Sequence, residues 1–437
     1  MTAPRKRSKT RPAGAPTPHV PGMPLVRRAA TLDREARAFL RYFNLFARRP
    51  LAEHSMSELR QLWRLLALAL GRRPPVASVT EHEIADPAGT IALRVFNPDA
   101  LHGRRPALIW CHGGGFLVGG ADSADSICRS IALSADIAVV SVYYRLAPEH
   151  DLYAGREDFL AAVNWVAAHG ASLGIDPARL AVGGDSAGGN IAAAVAQECV
   201  RRGGPPIRLQ VLAYPATSIG KDYPSKLENA SGYLLTAENM DWMKRIIAAS
   251  VDLEDQWISP GLNPDLRGAP PALIVTAGFD PIRDDGLDYA ARLRAAGVPV
   301  ELLHYGGQFH GFLNFDSVLG AARDGLDRIG LALAAAFRSA EAVDRTIEVA
   351  DQETAGRHGV RRTASEVASA TLMAWESVEQ WSDTLLRLAA PRVAAAYGLV
   401  LLPWLAPVAW VRRGIGSRLA RLQARQTHPA AASTAAP

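Results

Sequence analysis

Ser186 lies in Leu180-Ala-Val-Gly-Gly-Asp-Ser-Ala-Gly-Gly-Asn190, a Gly-x-Ser-x-Gly pattern between an apolar run and a helical one. A serine becomes a nucleophile only when a base takes its proton, and a sharp strand-to-helix turn exposes its Oγ for attack. The bare pattern arises by chance in roughly one chain in six of this length, so the strand-turn-helix setting carries the argument. Gly184 and Gly188 lack the side-chain bulk that would keep strand and helix apart. Upstream, Ile109-Trp-Cys-His-Gly-Gly-Gly-Phe116 follows another apolar run. Main-chain amides in such a glycine loop can approach a developing oxyanion closely. The expected donors are the amides of Gly113, Gly114 and Ala187, with His112 supporting the loop rather than acting as the base.

A base and an acid must complete the set, in the chain order serine, acid, histidine. Four histidines follow Ser186: His304, His310, His358 and His428. His304 falls inside a predicted strand, and His358 and His428 lie in polar sequence beyond the last one. His310, in Gly306-Gly-Gln-Phe-His-Gly-Phe312, follows a strand directly and is the expected base. For the acid, Asp280 comes straight after Leu273-Ile-Val-Thr-Ala-Gly-Phe279 and is favoured over Asp284 and Asp285, which suit the first turn of the next helix. No metal or organic cofactor is needed for such an acyl transfer.

Those residues need strands that end side by side. Apolar runs at 91–96, 107–111, 137–142, 180–183, 209–213, 272–277 and 300–304 alternate with helical stretches at 158–169, 189–202 and 286–296. Continuous apolar strands separated by helices predict a parallel sheet covered on both faces, hence an α/β architecture. Before it, Phe39, Leu40, Phe43, Phe46 and Leu59, Leu62, Trp63, Leu66 recur at three- and four-residue spacing, predicting two amphipathic helices within 31–75. Residues 215–260 interrupt the alternation with Tyr223, Tyr233, Trp242, Met243 and Trp257 and a helix from Thr236. Such a long insertion is expected to be functional, here as a lid packed on the first two helices.

Charge and composition exclude other roles. The net charge of +5 sits at the ends: residues 1–30 carry seven basic residues and no acid, and five arginines follow Val411. The middle is nearly balanced, which argues against a nucleic-acid groove. Residues 1–30 are expected to be a disordered basic arm. Cys111, Cys128 and Cys199 are too few and too scattered for a disulfide framework, which fits a reducing, cytoplasmic compartment. The basic start lacks an apolar stretch after it, so export by a signal peptide is not expected.

The loop at 112–115, Gly184-Asp-Ser-Ala-Gly-Gly189, Tyr144-Arg-Leu-Ala-Pro-Glu-His150, Asp280-Pro-Ile-Arg-Asp284 and His310-Gly-Phe312 together resemble the hormone-sensitive-lipase-like esterases, the bacterial family IV carboxylesterases. The resemblance spans about residues 75–340. It implies an α/β-hydrolase fold with an eight-stranded, mostly parallel sheet and a catalytic domain over 76–340. It also implies a helical cap from the N-terminal helices and the 215–260 insertion, and hydrolysis of short to medium acyl esters. Two departures, Tyr143 and Asp151-Leu-Tyr-Ala154, bear on substrate preference and packing rather than chemistry. The competing readings are a non-catalytic ligand-binding protein on the same scaffold and an amidase or formamidase.

The resemblance stops near Ala340. The remainder, 341–437, is expected to be a helical extension, with Val367, Ala370, Met373, Ala374 and Val378 forming a docking stripe. Val393–Val411 is a charge-free stretch of 19 residues. Pro403 and Pro407 break it, and the arginines lie on its far side, so a peripheral contact with a membrane or lipid granule fits better than a span. The sequence leaves self-association open.

Overall fold

The computed structural model describes residues 22–349, apart from 27, 47–49, 87–88, 100–102, 121 and 340. Residues 1–21 of the basic arm, the helix expected at 364–388 and the apolar segment 393–411 lie outside the described residues.

Two helices come first, α1 (Arg34–Phe46) and α2 (Met56–Leu70). Asp33 starts α1 by accepting from Ala36 N–H at 3.1 Å. A reciprocal Ser55–Glu58 capping box starts α2. Phe39 on α1 stacks on Phe309 and packs at a tilt against Phe315, with ring centroids 5.6 and 4.6 Å away. The segment before α1 is folded as well: Met23 is buried, and Ala29 and Asp33 donate to the carbonyls of Gly306 and Gly307, each at 3.0 Å. The described part of the segment expected as an arm over 1–30 is therefore held to the body, because Met23 is buried and the chain at Ala29 forms a main-chain hydrogen bond to it.

The sheet begins with β1 (Ser78–Asp86), β2 (Gly89–Asn97) and β3 (Arg105–Cys111), followed by α3 (Asp125–Ala135) and β4 (Ala138–Tyr143). Then come α4 (Leu152–His169), β5 (Ile175–Asp185), α5 (Ala187–Arg202) and β6 (Ile207–Ala213). After the insertion, with α6 (Pro224–Glu228) and α7 (Ala237–Ile247), follow β7 (Ala272–Phe279), α8 (Arg283–Ala295), β8 (Val300–Phe309), α9 (Gly320–Arg338) and β9 (Arg345–Val349). The strand order is β1-β2-β4-β3-β5-β6-β7-β8-β9. β1–β2 and β2–β4 pair antiparallel, and all other pairs are parallel. All eight residues of β7 are buried, so both faces of the sheet are covered there.

The sheet thus has nine strands rather than the eight expected. The ninth, β9, adds to β8 in parallel beyond residue 340, where helix was expected to begin. Its side chains are largely exposed, and β1 at the other edge is also mostly exposed. Edge strands carry little apolar signal, which explains why neither stood out in the sequence. Among the described residues no helix is long and apolar enough to cross a membrane.

α4 starts at Leu152, six residues before the apolar periodicity suggests. Gly155, Arg156 and Glu157 interrupt that periodicity, but Asp151 accepts from Ala154 N–H at 3.0 Å and caps the helix. Asp151→Ala should cost about 1 kcal/mol of stability, read as a lower urea midpoint with unchanged slope.

Candidate active site

Strand register brings the sequence motifs together. Cys111 at the end of β3 pairs with Gly184 near the end of β5, so the glycine loop and Ser186 emerge as neighbours. Phe279 pairs with Phe309 across β7 and β8, so the next residues, Asp280 and His310, emerge together. β8 runs five residues past its expected end, which makes His310 the first residue after the strand.

The turn at Ser186 is strained, at φ 55° and ψ −116°. This is costly for a residue with a side chain, and the surroundings hold it: Ser186 N–H donates to Ala213 O at 2.8 Å, and Asn190 N–H donates to Ser186 O at 3.1 Å. The glycines are needed for close approach. A Cβ on Gly188 would lie 2.0 Å from Cys111 O, and one on Gly184 would lie 2.4 Å from the Gly188 carbonyl.

His310 Nε2 is 2.9 Å from Ser186 Oγ, and His310 Nδ1 is 2.8 Å from Asp280 Oδ2. Asp280 is fully buried, and its Oδ1 accepts from Ile282 N–H at 2.8 Å. Asn229 in the insertion donates to Asp280 O at 2.9 Å and accepts from Arg28 at 3.0 Å, tying the acid loop to the N-terminal segment. The two competing acids face elsewhere. Asp284 accepts from Ser225 N–H and Arg283, and Asp285 accepts from Thr217 Oγ1 at 2.7 Å and Ser218 N–H at 3.2 Å.

His112 is buried and stacked on Tyr144 with centroids 4.4 Å apart, and its Nδ1 lies 2.8 Å from Gly113 O. Burial pulls its pKa down to about 4, so it is a neutral loop support. Gly113, expected among the oxyanion donors, is otherwise engaged: its N–H donates to the buried Asp185 Oδ1 at 2.9 Å. An amide satisfied by a carboxylate is not free to meet an oxyanion. No acceptor is found among the described residues for the amides of Gly114, Gly115 or Ala187, and all three residues line the cavity at Ser186.

Sequence reasoning did not single out three residues that the structure places at the site. Gly115 is the third glycine of the run. Asp185 is a charge at the end of an apolar strand, a signal that was available. Asn314, whose Nδ2 donates to Asp185 Oδ2 at 3.2 Å, has no local signature. Burial raises the Asp185 carboxyl, opposed by Asn314, the Gly113 amide and the charge of His310.

A cavity of about 640 Å³ opens over Ser186 and His310. Leu59, Trp63 and Leu66 of α2 line it together with Tyr233, Trp242 and Met243 from the insertion. Among the described residues no cluster of His, Cys, Asp or Glu could hold a metal ion.

A family profile described as alpha/beta hydrolase fold matches residues 108–314. The chain is 43% identical over 265 residues to esterase LipI of Mycobacterium tuberculosis, covering 59% of this chain and 83% of that protein. It is 35% identical over 274 residues to the ethyl acetate hydrolase of Pseudomonas putida, covering 61% and 86%. A solved ester hydrolase from the metagenome of Lake Arreo superposes with a TM-score of 0.68 at 36% identity, covering 71% of this chain and 100% of that one. The chain belongs to the hormone-sensitive-lipase-like carboxylesterases of the α/β-hydrolase fold. As a carboxylic ester hydrolase it takes small-molecule esters.

In this esterase Asp285 is a buried carboxyl that burial pushes up to about 7 from its ordinary 3.8, while the Thr217 and Ser218 hydrogen bonds pull it down. A folded-state value above the unfolded one gives a stabilisation that is complete below the unfolded value and is lost as pH rises through the folded one. The wild type should therefore lose stability relative to Asp285→Asn as pH rises from about 4 to about 8, in urea unfolding.

Proposed function

We propose that the protein hydrolyses short to medium acyl esters through Ser186, His310 and Asp280, with an acyl-enzyme intermediate. The observation that carries this reading is the unbroken chain Ser186 Oγ, His310 Nε2, His310 Nδ1, Asp280 Oδ2, with both contacts under 3 Å. His310 Nε2 takes the Ser186 proton as Oγ attacks the ester carbonyl carbon. The resulting oxyanion is met by the amides of Gly114, Gly115 and Ala187. Collapse breaks the bond to the alcohol oxygen, which receives the proton from His310. Water, deprotonated by the same nitrogen, then attacks the acyl carbon, and as the acyl–Oγ bond breaks His310 returns the proton to Ser186 Oγ and the carboxylic acid leaves. Asp280 holds the tautomer with Nδ1–H and stabilises the imidazolium.

The residues of α2 and of the 215–260 insertion that line the cavity support the reading of these segments as a cap over an apolar acyl pocket. Its volume suits a short or medium chain, and one relative is named for ethyl acetate hydrolysis. The complete triad, together with relatives named as esterases, favours an enzyme over a binding protein on the same scaffold. Ser186→Ala should lower kcat on p-nitrophenyl butyrate by at least about 10³-fold; retained wild-type turnover would sink the assignment.

The charge-free stretch 393–411 and the five arginines beyond it support a peripheral contact with an anionic lipid surface. The full chain should co-sediment with anionic vesicles, whereas a chain ending at Val349, which keeps β9, should not. Equal partitioning of the two would remove the lipid contact.

A further inference from the structure

Arg156 lies on α4, and its side chain is fully buried. Its Nε donates to Trp257 O at 2.6 Å, Nη1 to Leu152 O at 2.7 Å, and Nη2 to Asn190 Oδ1 at 2.5 Å and Ile258 O at 2.9 Å. None of these acceptors is a carboxylate. The guanidinium also sits over the Phe116 ring, 5.3 Å from its centroid. Burial lowers its pKa to about 10, so it is charged at neutral pH. A buried cation held only by carbonyl and amide oxygens recovers its desolvation cost poorly compared with an apolar side chain of the same volume. Its role lies in what it joins.

Apart from Leu152 on its own helix, Arg156 touches segments that flank the site. Phe116 directly follows the Gly114-Gly115 donors. Asn190 is in the first turn of α5, which opens with the third donor, Ala187. Trp257 and Ile258 form the outgoing stem of the insertion. Asn190 extends the node to the incoming stem, since its Nδ2 donates to Ala216 O at 2.6 Å and Ile258 O at 3.0 Å. Ala216 N–H in turn donates to Ser186 O at 3.3 Å. The planar fork of a guanidinium can reach acceptors on several segments in one plane, which the point charge of an ammonium cannot do.

We propose that Arg156 is a positioning residue that locks the oxyanion loop and the N-terminus of α5 to both stems of the insertion, so that the Gly114, Gly115 and Ala187 amides share one aim. It acts through those amides and touches no reacting atom. The proposal rests on Ser186 being the nucleophile.

The test compares Arg156→Gln and Arg156→Lys with wild type on p-nitrophenyl acetate. It also measures the rate at which diethyl p-nitrophenyl phosphate inactivates each protein, since that reagent needs the same donors for its phosphoryl oxygen. Both variants should lose at least about tenfold in kcat with KM within about threefold, and inactivation should slow in parallel. Lysine should not rescue, because it keeps the charge but loses the fork. Turnover within twofold of wild type, a change confined to KM, or full rescue by lysine would each overturn the proposal. Should neither variant fold, Asn190→Ser, which removes the Arg156 acceptor and the stem bonds, carries the same expectation and the same refutation. Ser186→Ala run alongside separates the two readings. An active Ser186→Ala sinks the nucleophile assignment, whereas an inactive one beside unimpaired Arg156 variants sinks only this proposal.

Discussion

The contact between the first turn of α5 and the end of β3 constrains everything else in the site. A single Cβ at Gly188 would sit 2.0 Å from Cys111 O, well inside any tolerable distance. Because both Gly184 and Gly188 lack that atom, the nucleophile turn can press against the strand that launches the glycine loop. The register of β3 with β5 then places the loop beside Ser186 without further adjustment. The strained conformation of Ser186 persists because its own amide and carbonyl are both held by neighbouring main chain. If strand and helix moved apart by one methyl radius, the serine oxygen and the amides that face it would no longer converge.

Around that contact the interior contains charges, and each is held by specific partners rather than by solvent. Asp185 is fixed by the Gly113 amide and Asn314, Asp280 by His310 and the Ile282 amide, and Arg156 by four oxygens. Such groups are costly to bury and more costly to leave unpaired. They therefore fix geometry where an apolar core would leave it adjustable. An exposed pair is different: Arg267 bonds Asp265 at the surface, where solvent screens the attraction and little stability follows. The apolar lining of the cavity and the buried charges behind it have complementary roles. In the proposed reaction, the first receives the acyl chain and the second holds the dipoles that meet the reacting carbonyl.

Ser186, His310 and Asp280, the proposed nucleophile, base and acid, were legible because each stands at the end of a strongly apolar strand, and strand ends converge in a parallel sheet. The core strands were legible for the same reason. The two edge strands were not, since β1 and β9 face solvent and carry mixed polar sequence. Gly113 shows the limit within a motif. Three successive glycines look alike in sequence, and only the position of the Asp185 carboxylate, 72 residues away, distinguishes the engaged amide from the two that line the cavity.

By itself the sequence determined the layer architecture and pointed to the proposed acyl-transfer chemistry, because residue types at strand ends and the period of apolar runs are local properties. Tertiary structure alone decided which amides face the cavity, how the insertion lies over Ser186, and where Arg156 sends its hydrogen bonds. Those outcomes depend on pairings between segments far apart in sequence, from 72 residues for Gly113 and Asp185 to 201 for Arg28 and Asn229, which no local pattern encodes.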